Sequence, residues 1–572
     1  MAVMLVKHIS LLLNRSSLLL TVALLFCFSC EQQPKLFKKL EASYTGIDFR
    51  SELVEDDQHN ILNFTNLYTG SGVGIGDFNG DGLADIFFGG NQESSRMYLN
   101  KGQLQFQDAT EAFGLTTDRW ITGVSVVDIN ADGWDDIYLS VSGKASKEQQ
   151  KNLLFINEDG KGFSEQAEQY GLADSAQCTH ANFFDYDKDG DLDVFLAINP
   201  TDYTLYNVNN IRPKKQNGEA ASTDKLYRNN RISSDSVAHS LPFTDVSAEA
   251  GILLEGYSLG LNISDINKDN WPDIYVTNDF LSNDILYINN QDGTFSNQAA
   301  DYLKHTSFAS MGIDVADINN DGNPEIYVLD MYPEDNYRQK MILGSDNYDR
   351  FQYMLQADYE PQYSRNTLQL NNGDGSFSEI GQLANIHKTD WSWSPLIADY
   401  DNDGYRDIFV TNGFRRDLGD LDYINYNNTA PFGNPETLRK NQLERIIQQP
   451  GAQLPNYAFR NINGLQFEDA SAAWGLDEPS YAHGASYADL DKDGDLDLIV
   501  STVSQEVLIY ENQTNQHHQY HYLSLEFEQK SLVGTKVWIY YSEQMQYAEY
   551  TPYRGYLSTL EEGLHFGLEL VW

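Results

Sequence analysis

Seven times along the chain, a short acidic segment separates two apolar runs. The run that follows each acidic segment is rich in β-branched and aromatic residues, which favour strands. These runs read IFFGG, IYLSV, VFLAI, IYVTN, IYVLD, IFVTN and LIVST. The run that precedes the segment is also strand-like, as in SGVGIG or ITGVSVV. The pattern predicts seven strand pairs, each joined by an acidic loop.

Two further strands complete each unit. In the first copy the four strands are SGVGIGD, ADIFFGG, SRMYLN and QLQFQDA, and later copies repeat the last two as in LYINNQDGTFSNQA. The N-x-x-G turns between them favour hairpins. The loops begin 51, 57, 80, 52, 82 and 90 residues apart; a unit of about 50 residues is typical of a propeller blade. Small residues in most first strands fit a crowded central axis. The sequence therefore predicts an all-β fold, a seven-bladed β-propeller of four-stranded blades.

The remaining segments fit around this propeller. We expect residues 44–53, YTGIDFRSEL, to supply the last strand of blade seven, because they resemble GLQFEDASAA at 464–473 and closure removes exposed sheet edges. The propeller then spans residues 44–512. A linker over 31–43 precedes it, and a small β module over 513–572 follows it.

Three long insertions interrupt the propeller, at residues 199–224, 331–365 and 413–456. Each follows the second strand of its blade, so we expect all three on the face opposite the acidic loops. ETLRKNQLERIIQQ in the third insertion predicts an amphipathic helix.

The first 30 residues differ in character from the rest. Lys7, His8 and Arg15 precede the apolar run LLLTVALLFCFSC, which is too short to cross a membrane comfortably and predicts a secretory signal. Ser29 before Cys30 resembles a bacterial lipoprotein signal, which implies that Cys30 becomes the lipidated N-terminus; ordinary cleavage nearby is the alternative. We expect an exported outer-membrane lipoprotein that faces either the periplasm or the cell surface.

Composition narrows the possible partners. The formal net charge is −46, which opposes nucleic-acid binding and charge-driven docking on anionic lipid, and suits cation binding. Only Cys27, Cys30 and Cys178 are present, so no disulfide framework is expected. An exported chain without disulfides needs another source of stability, and a bound metal is one candidate.

The acidic loops have the chemistry of calcium ligands. Calcium takes six to eight oxygen ligands, and side chains at positions 1, 3, 5 and 9 with the carbonyl of position 7 can converge on one ion. Over seven copies, positions 1, 3, 5 and 9 hold 24 carboxylates and four asparagines. We expect up to seven Ca²⁺, bound in loops 1 to 7 by Asp77, Asn79, Asp81, Leu83, Asp85; Asp128, Asn130, Asp132, Trp134, Asp136; Asp185, Asp187, Asp189, Asp191, Asp193; Asp265, Asn267, Asp269, Trp271, Asp273; Asp317, Asn319, Asp321, Asn323, Glu325; Asp399, Asp401, Asp403, Tyr405, Asp407; and Asp489, Asp491, Asp493, Asp495, Asp497.

An EF-hand is excluded, because that loop needs Glu at position 12 and a following helix, whereas here a strand follows position 9. A solvated acidic turn without metal is the remaining alternative. Two loops depart from the pattern. Asn270 replaces the glycine at position 6, although Asn tolerates the left-handed conformation, and Glu325 replaces the last Asp.

At this point the chain resembles the FG-GAP/VCBS repeats of the integrin alpha-chain head, over residues 44 to about 512. It is more narrowly similar to bacterial proteins related to cartilage acidic protein, which carry a C-terminal ASPIC/UnbV module. The stretches YTGSGVGIGDFNGDGLADIFFGGN, VLDMYPEDNYRQKM, VTNGFRRDLGDLDY and GTKVWIYYSEQMQYAEYTPYRGYLSTLEEGLHFGL carry the resemblance. The module normally continues beyond Trp572, which leaves open whether it is complete here. The resemblance implies calcium binding, export and an adhesive or ligand-binding role, and it supplies no catalytic residue.

The face opposite the acidic loops is the candidate ligand surface. Aromatic rings with a few polar groups suit a sugar or a peptide, although the same residues also serve as packing between blades. The candidates are Trp120, Trp391, Trp393, Arg415, Arg416 and His483. We expect a non-catalytic binding or adhesion protein whose partner is a glycan or an envelope or extracellular protein. A glycan-active enzyme such as a polysaccharide lyase, and a scaffold for another envelope protein, are the alternatives.

Overall fold

A computed structural model describes residues 35–200, 211–230, 241–279, 282–342, 348–428, 434–517, 520–527, 532–541 and 544–568. The predicted signal segment and its lipidation site, Cys30, lie outside the described residues. Within the described part, no helix combines the length and apolar character needed to cross a membrane.

Seven antiparallel sheets follow one another along the chain, which confirms the predicted propeller; six have four strands, and in blade 6 Met331–Tyr332 adds a fifth strand beside Asp390–Ala398. The strands of blades 1 to 7 are, in order from the first to the fourth strand of each: Val73–Gly76, Asp85–Phe88, Arg96–Asn100, Phe106–Asp108; Trp120–Val127, Asp136–Ser142, Leu153–Asn157, Phe163–Glu165; Cys178–Phe184, Asp193–Ile198, Lys225–Asn229, Phe243–Asp245; Ser258–Ser264, Asp273–Asn278, Ile285–Asn289, Phe295–Asn297; Ile313–Ala316, Glu325–Val328, Thr367–Asn371, Phe377–Glu379; Asp390–Ala398, Asp407–Asn412, Tyr457–Asn461, Phe467–Asp469; and Ala482–Ala488, Asp497–Thr502, Leu508–Asn512, Phe37–Leu40.

The first strands form the innermost ring. Each first strand contacts the first strands of both neighbouring blades, and the last of the seven contacts the first. The second strands are buried on both faces, which explains their continuous apolar runs. Apolar clusters fill the spaces between adjacent blades, so the core is a ring of interfaces rather than one central mass.

A recurring asparagine links neighbouring blades. It ends the third strand of every blade and pairs with the phenylalanine that opens the fourth, as in Asn100↔Phe106. In blades 1, 2, 4, 5, 6 and 7 its side-chain amide also donates to a carbonyl of the preceding blade: Asn157 donates to Phe78 (3.0 Å) and Asn512 donates to Tyr400 (2.8 Å). A buried amide thus satisfies backbone carbonyls that the loops leave unpaired.

The predicted closing strand is wrong in position. The ring closes through Phe37–Leu40, which pairs with Leu508–Asn512, and not through residues 44–53. The linker predicted over 31–43 therefore contains a propeller strand. Phe37 pairs with Asn512 as every other fourth-strand phenylalanine pairs with its asparagine. Ile47 and Phe49, from the segment expected to close the ring, instead pack between blades 7 and 1.

The insertions leave the propeller where expected. They connect the second and third strands of blades 3, 5 and 6, and the predicted helix in the last insertion is present as Pro435–Gln448. The other helices are Ala42–Thr45, Ala167–Tyr170, Ala299–Tyr302, Asn336–Ile342, Tyr348–Gln356, Leu421–Asn428, Ser471–Trp474 and Thr514–His517; short strands are Thr306–Ser307, Met331–Tyr332, Gln362–Tyr363, Leu454–Pro455 and Pro479–Ser480.

The chain ends in a small β module. His521–Leu525 pairs with Leu564–Leu568, and Lys536–Tyr541 pairs with Gln544–Glu549. The predicted β character of this module is therefore confirmed for the described residues.

The closing strand yields a stability prediction. Phe37 is 1% exposed and packs against Tyr400 and Trp474. We expect Phe37→Ala to lower the free energy of unfolding by about 3–5 kcal/mol, since it removes a buried aromatic ring. Lys38→Ala, on the exposed side of the same strand, should cost at most about 1 kcal/mol. Chemical denaturation of both variants tests this, and equal costs would contradict the assigned closing strand.

Candidate metal loops and a self-filled central channel

All seven acidic loops fold around the carboxylate at position 1. In loop 1, Asp77 accepts hydrogen bonds from the backbone N–H groups of Asp81 (3.1 Å) and Gly82 (2.8 Å). The same pair of bonds, from positions 5 and 6, recurs in each of the other six loops. Position 6 has a positive φ throughout, including Asn270 at 73°. Asn270 thus keeps the turn that glycine makes elsewhere.

The carboxylate at position 9 fastens each loop to its blade. Asp85 accepts the N–H of Phe78 (3.0 Å) within the loop and the N–H of Asn100 (2.7 Å) on the third strand. The equivalent pair of bonds forms at the Asp of loops 2, 3, 4, 6 and 7. Glu325 of loop 5 accepts the N–H of Ile318 (3.0 Å), so the longer side chain keeps the bond within the loop, while its other carboxylate oxygen is buried without a hydrogen-bond partner among the described residues.

Burial makes these carboxylates costly to ionise. Burial and the neighbouring loop carboxylates raise the pKa of Asp85 to about 7, that of Asp136 to about 8 and that of Asp193 to about 9. The same two causes raise the pKa of Asp407 and of Asp497 well above its usual value. The loops thus concentrate buried negative charge, which either protons or a cation must compensate.

Three loops bring carboxylates closest together. Oxygen atoms lie within 4.8 Å of one another in loop 3 (Asp185, Asp187, Asp193), loop 6 (Asp399, Asp401, Asp407) and loop 7 (Asp489, Asp491, Asp493). These are the loops with Asp at position 3. In the other four, Asn at position 3 donates to the Asp at position 5. All seven loops offer only oxygen donors on their side chains at positions 1, 3, 5 and 9, which fits a hard divalent cation such as Ca²⁺.

On the opposite face, two of the candidate ligand residues are core residues. Trp393 is buried and its indole N–H donates to the carbonyl of Gly413 (2.8 Å). His483 is also buried, and its two ring nitrogens lie 2.7 Å and 3.0 Å from the carbonyl oxygens of Tyr68 and Tyr481. Burial lowers the pKa of His483 to about 4. Packing between blades therefore accounts for both residues.

The other four candidates lie nearer the surface of the same region. Trp391 is half-buried and stacks on Phe414, with ring centroids 4.0 Å apart. Trp120 is half-buried and meets Phe64 edge to face. Arg415 lies over the ring of Tyr481. Arg416 forms an ion pair with Glu55 (2.7 Å) that ties the third insertion to the N-terminal segment. Trp120, Trp391 and Trp393 belong to a single hydrophobic cluster.

The centre of the ring is filled by the chain itself. Residues 550–563, here called the plug, leave the C-terminal module and enter the channel between the first strands. Thr559 pairs with blade 1, accepting the N–H of Ile75 (3.2 Å) and donating to the carbonyl of Val73 (2.9 Å). Arg554 donates two hydrogen bonds to the fully buried Asp314 of blade 5, at 2.6 Å and 2.8 Å.

The module enters from the face of the acidic loops. Glu549 accepts the N–H of Asp265 in loop 4, and Glu561 accepts the N–H of Asp489 in loop 7 (2.8 Å). His565 contacts Asn402 in loop 6 (2.6 Å). At the far end of the plug, Tyr556 packs against Trp393, with ring centroids 5.3 Å apart. The plug therefore runs through the channel toward the opposite face.

Sequence reasoning missed the plug, although a signal was present. Small residues in the first strands were explained by crowding among the blades. At least one of them also allows the plug to approach the backbone. A Cβ at Gly72 would overlap the carbonyl oxygen of Leu557, whereas a Cβ at Gly312 would first meet the carbonyl oxygen of Trp393 in blade 6, at 2.1 Å, and that of Gly555 in the plug at 2.9 Å. A cavity of about 240 Å³ remains between the module and the channel mouth, where Arg406 and Arg554 are buried beside Tyr487.

Comparison with protein families agrees with this architecture. Residues 77–139, 265–328 and 349–410 match the FG-GAP-like repeat. Fold and loops together define the chain as a seven-bladed β-propeller with FG-GAP-like repeats. Residues 527–570 match the ASPIC and UnbV family. The chain thus combines an FG-GAP repeat propeller with a C-terminal ASPIC/UnbV domain, and that domain supplies the plug.

Comparisons with individual proteins find only distant similarities. No curated protein matches the chain at a significant level. An Agrocybe aegerita lectin that specifically recognises non-reducing terminal N-acetylglucosamine is 15% identical, with 73% of this chain and 87% of the lectin covered and a TM-score of 0.35. The rhamnogalacturonan lyase YesW is 11% identical over 78% of this chain and 72% of the lyase, with a TM-score of 0.36. A rhamnogalacturonan lyase of Bacillus licheniformis is 10% identical over the same shares, with a TM-score of 0.34.

The plug yields a prediction for Gly72. A methyl group at this position overlaps the backbone of Leu557, so Gly72→Ala should displace the plug from the channel. We expect amide hydrogen exchange over residues 550–563 to become at least tenfold faster. Gly419→Ala is the control, since a Cβ there meets its nearest neighbours at 3.6–3.8 Å, an ordinary contact distance. Unchanged protection of residues 550–563 in Gly72→Ala would contradict the placement of the plug.

Proposed function

We propose that the chain is an exported, calcium-binding propeller lipoprotein that binds a glycan or protein ligand on the face opposite the acidic loops. The observation that carries the proposal is the common hydrogen-bonded frame of the seven loops. Each frame holds at least three carboxylates within nine residues and buries at least one of them, and in loops 3, 6 and 7 oxygens of three carboxylates lie within 4.8 Å of one another. A divalent cation in the loop would turn the mutual repulsion of these groups into attraction.

Calcium suits these loops better than other metals. The loop side chains at positions 1, 3, 5 and 9 are carboxylates and carboxamides, without His or Cys. Such donors favour hard cations over zinc or copper. Calcium tolerates the mixed and irregular oxygen sets that seven non-identical loops provide, whereas magnesium demands near-ideal octahedral geometry.

The plug and the module influence where a ligand would bind. The module contacts loops 4, 6 and 7 on the acidic-loop face, and the plug fills the channel, so a central site is not favoured. The second insertion instead displays aromatic rings: Tyr337, Tyr348 and Tyr353 are 71%, 73% and 60% exposed. Exposed tyrosines of this kind provide apolar faces with polar edges, which suit the faces and hydroxyl groups of a sugar.

Beside this surface, residues of the same insertion line an apolar groove. The groove has a volume of about 400 Å³, and its walls include Phe308, Phe351, Met354 and Tyr363. Phe351 and Tyr363 stack with ring centroids 5.7 Å apart. A glycan or a peptide could therefore use the exposed tyrosines and the groove as one continuous surface.

A glycan-active enzyme on the same scaffold is the second candidate. A lyase would need a buried basic residue beside a central pocket, and Arg406 and Arg554 lie in the cavity of about 240 Å³ under the module. That cavity is bounded by the chain's own module, and Arg554 is already bound by Asp314. Catalysis there would require the module to withdraw, so the binding function is preferred.

Removal of calcium tests the loop assignment. At a tenfold excess of calcium over Kd, each occupied site adds about 1.4 kcal/mol to the free energy of unfolding. We expect a chelator to lower the melting temperature by many degrees, and calcium in excess to restore it. An identical melting curve with and without chelator would contradict the proposal.

The pH dependence of the same experiment gives a sharper result. In the chelated protein the position-9 carboxyl groups have raised pKa values, near 7 to 9 in loops 1 to 5. The folded state then binds more protons than the unfolded state, so stability falls as the pH rises through this range. We expect the melting-temperature difference between chelated and calcium-loaded protein to be larger at about pH 9 than at about pH 7. A difference that shrinks toward pH 9 would contradict this.

Ligand binding is tested on a glycan array, followed by a pull-down from envelope extract. We expect the double variant Tyr348→Ala, Tyr353→Ala to lose at least tenfold in affinity for any glycan that the wild-type chain retains. Tyr540→Ala, a 76% exposed tyrosine on the module, is the control and should bind normally. Retention of an envelope protein instead of a glycan would favour the scaffold alternative, and release of cleaved glycan would favour the enzyme.

A further inference from the structure

Loop 4 has a feature that distinguishes it from the other loops. The ammonium group of Lys536, from the C-terminal module, contacts the carboxylate of Asp265, around which loop 4 folds. The same ammonium lies 3.3 Å from Oδ1 of Asn270, the position-6 residue of this loop. A positive charge that belongs to the chain is therefore already in contact with the position-1 carboxylate of loop 4.

This contact is largely shielded from water. The side chain of Lys536 is 13% exposed, and that of Asp265 is 3% exposed. A buried ammonium requires a compensating partner, and removal of either member of such a pair is costly. Glu549, which pairs with Lys536 across the two module strands, accepts the N–H of Asp265 and the hydroxyl of Ser264 (2.8 Å). Lys536 thus lies between a loop carboxylate and a module carboxylate.

The residue at position 6 matches this arrangement. The other six loops have glycine at position 6, which has no side chain. In loop 4, Asn270 adopts the same backbone conformation and adds a side-chain oxygen that faces the lysine. The departure of loop 4 from the sequence pattern therefore supplies a second acceptor for Lys536.

Loop 6 shows how a different cation can leave room for a metal. Arg460 contacts Asp401 (2.7 Å) and Asp403 (2.9 Å), and its side chain is 40% exposed. It binds from the solvent side, through the carboxylates of positions 3 and 5. Loop 6 also keeps three carboxylates within 4.8 Å of one another.

We propose that the ammonium group of Lys536 occupies loop 4 in place of calcium, so that the C-terminal module itself provides the cation for blade 4. This rests on the proposed function, in which the remaining loops bind calcium. Seven loops less one leaves at most six calcium ions per chain. The lysine also fixes the module to the propeller at the point where the plug enters.

Native mass spectrometry of the full chain in calcium tests the proposal. We expect at most six specifically bound ions for the wild type, and one more for Lys536→Met, which keeps the aliphatic side chain but removes the charge. Asn270→Gly restores the glycine of the other loops and removes the second acceptor, so it should raise occupancy of loop 4 at lower calcium concentration than in the wild type. Lys225→Met is the matched control, because Lys225 forms a largely buried ion pair with Asp174 outside the acidic loops, and its removal should leave the ion count unchanged.

Terbium luminescence locates the additional ion. Trp271 is part of loop 4 and should sensitise Tb³⁺ bound there, so Lys536→Met should show at least twofold more tryptophan-sensitised emission than the wild type. Trp271→Phe in the Lys536→Met background should remove the gain. Seven ions in the wild type, or no gain in Lys536→Met, would overturn the lysine proposal alone. A wild-type chain that binds no calcium at all would overturn the proposed function.

Discussion

The carboxylate at position 1 of each acidic loop is the constraint on which the architecture depends. It accepts two backbone N–H groups of its own loop and so folds nine residues into a compact turn between two inner strands. The carboxylate at position 9 then fastens that turn to the third strand. The loop at the end of each blade is thus held in place, but it brings negative charges close together, and this arrangement recurs in all seven blades. A bound cation at each loop would remove the repulsion between these charges and stiffen the ring.

The second organising element is the plug. The seven first strands leave an axial channel, and the ASPIC/UnbV domain fills it with residues 550–563. Hydrogen bonds from Thr559 to blade 1 and from Arg554 to blade 5 connect blades that are distant around the ring. The C-terminal domain is therefore part of the propeller core and not an appended unit. This arrangement directs ligand binding away from the axis and toward the insertions on the opposite face.

Local patterns in the sequence were sufficient for the blades. The loop repeat and the apolar runs predicted seven blades, the strand order and the side from which the insertions leave. The same patterns did not predict contacts between residues that are far apart in the sequence. Phe37 pairs with Asn512. Only the asparagine–phenylalanine pair that recurs in every blade could have favoured residues 37–40 over residues 44–53 as the closing strand. Trp393 and His483 are residue types that are common in binding sites. They are core residues here because Tyr68 and the plug bury them. Lys536 gave no signal, because its partner lies 271 positions away along the chain.

The most direct test of the account is a crystal structure of the chain grown in millimolar calcium, with anomalous data to identify the ions. The account predicts calcium in loops 1, 2, 3, 5, 6 and 7, about 2.3–2.6 Å from the oxygens of positions 1, 3 and 5. Acidic loops that hold only water under these conditions would contradict it.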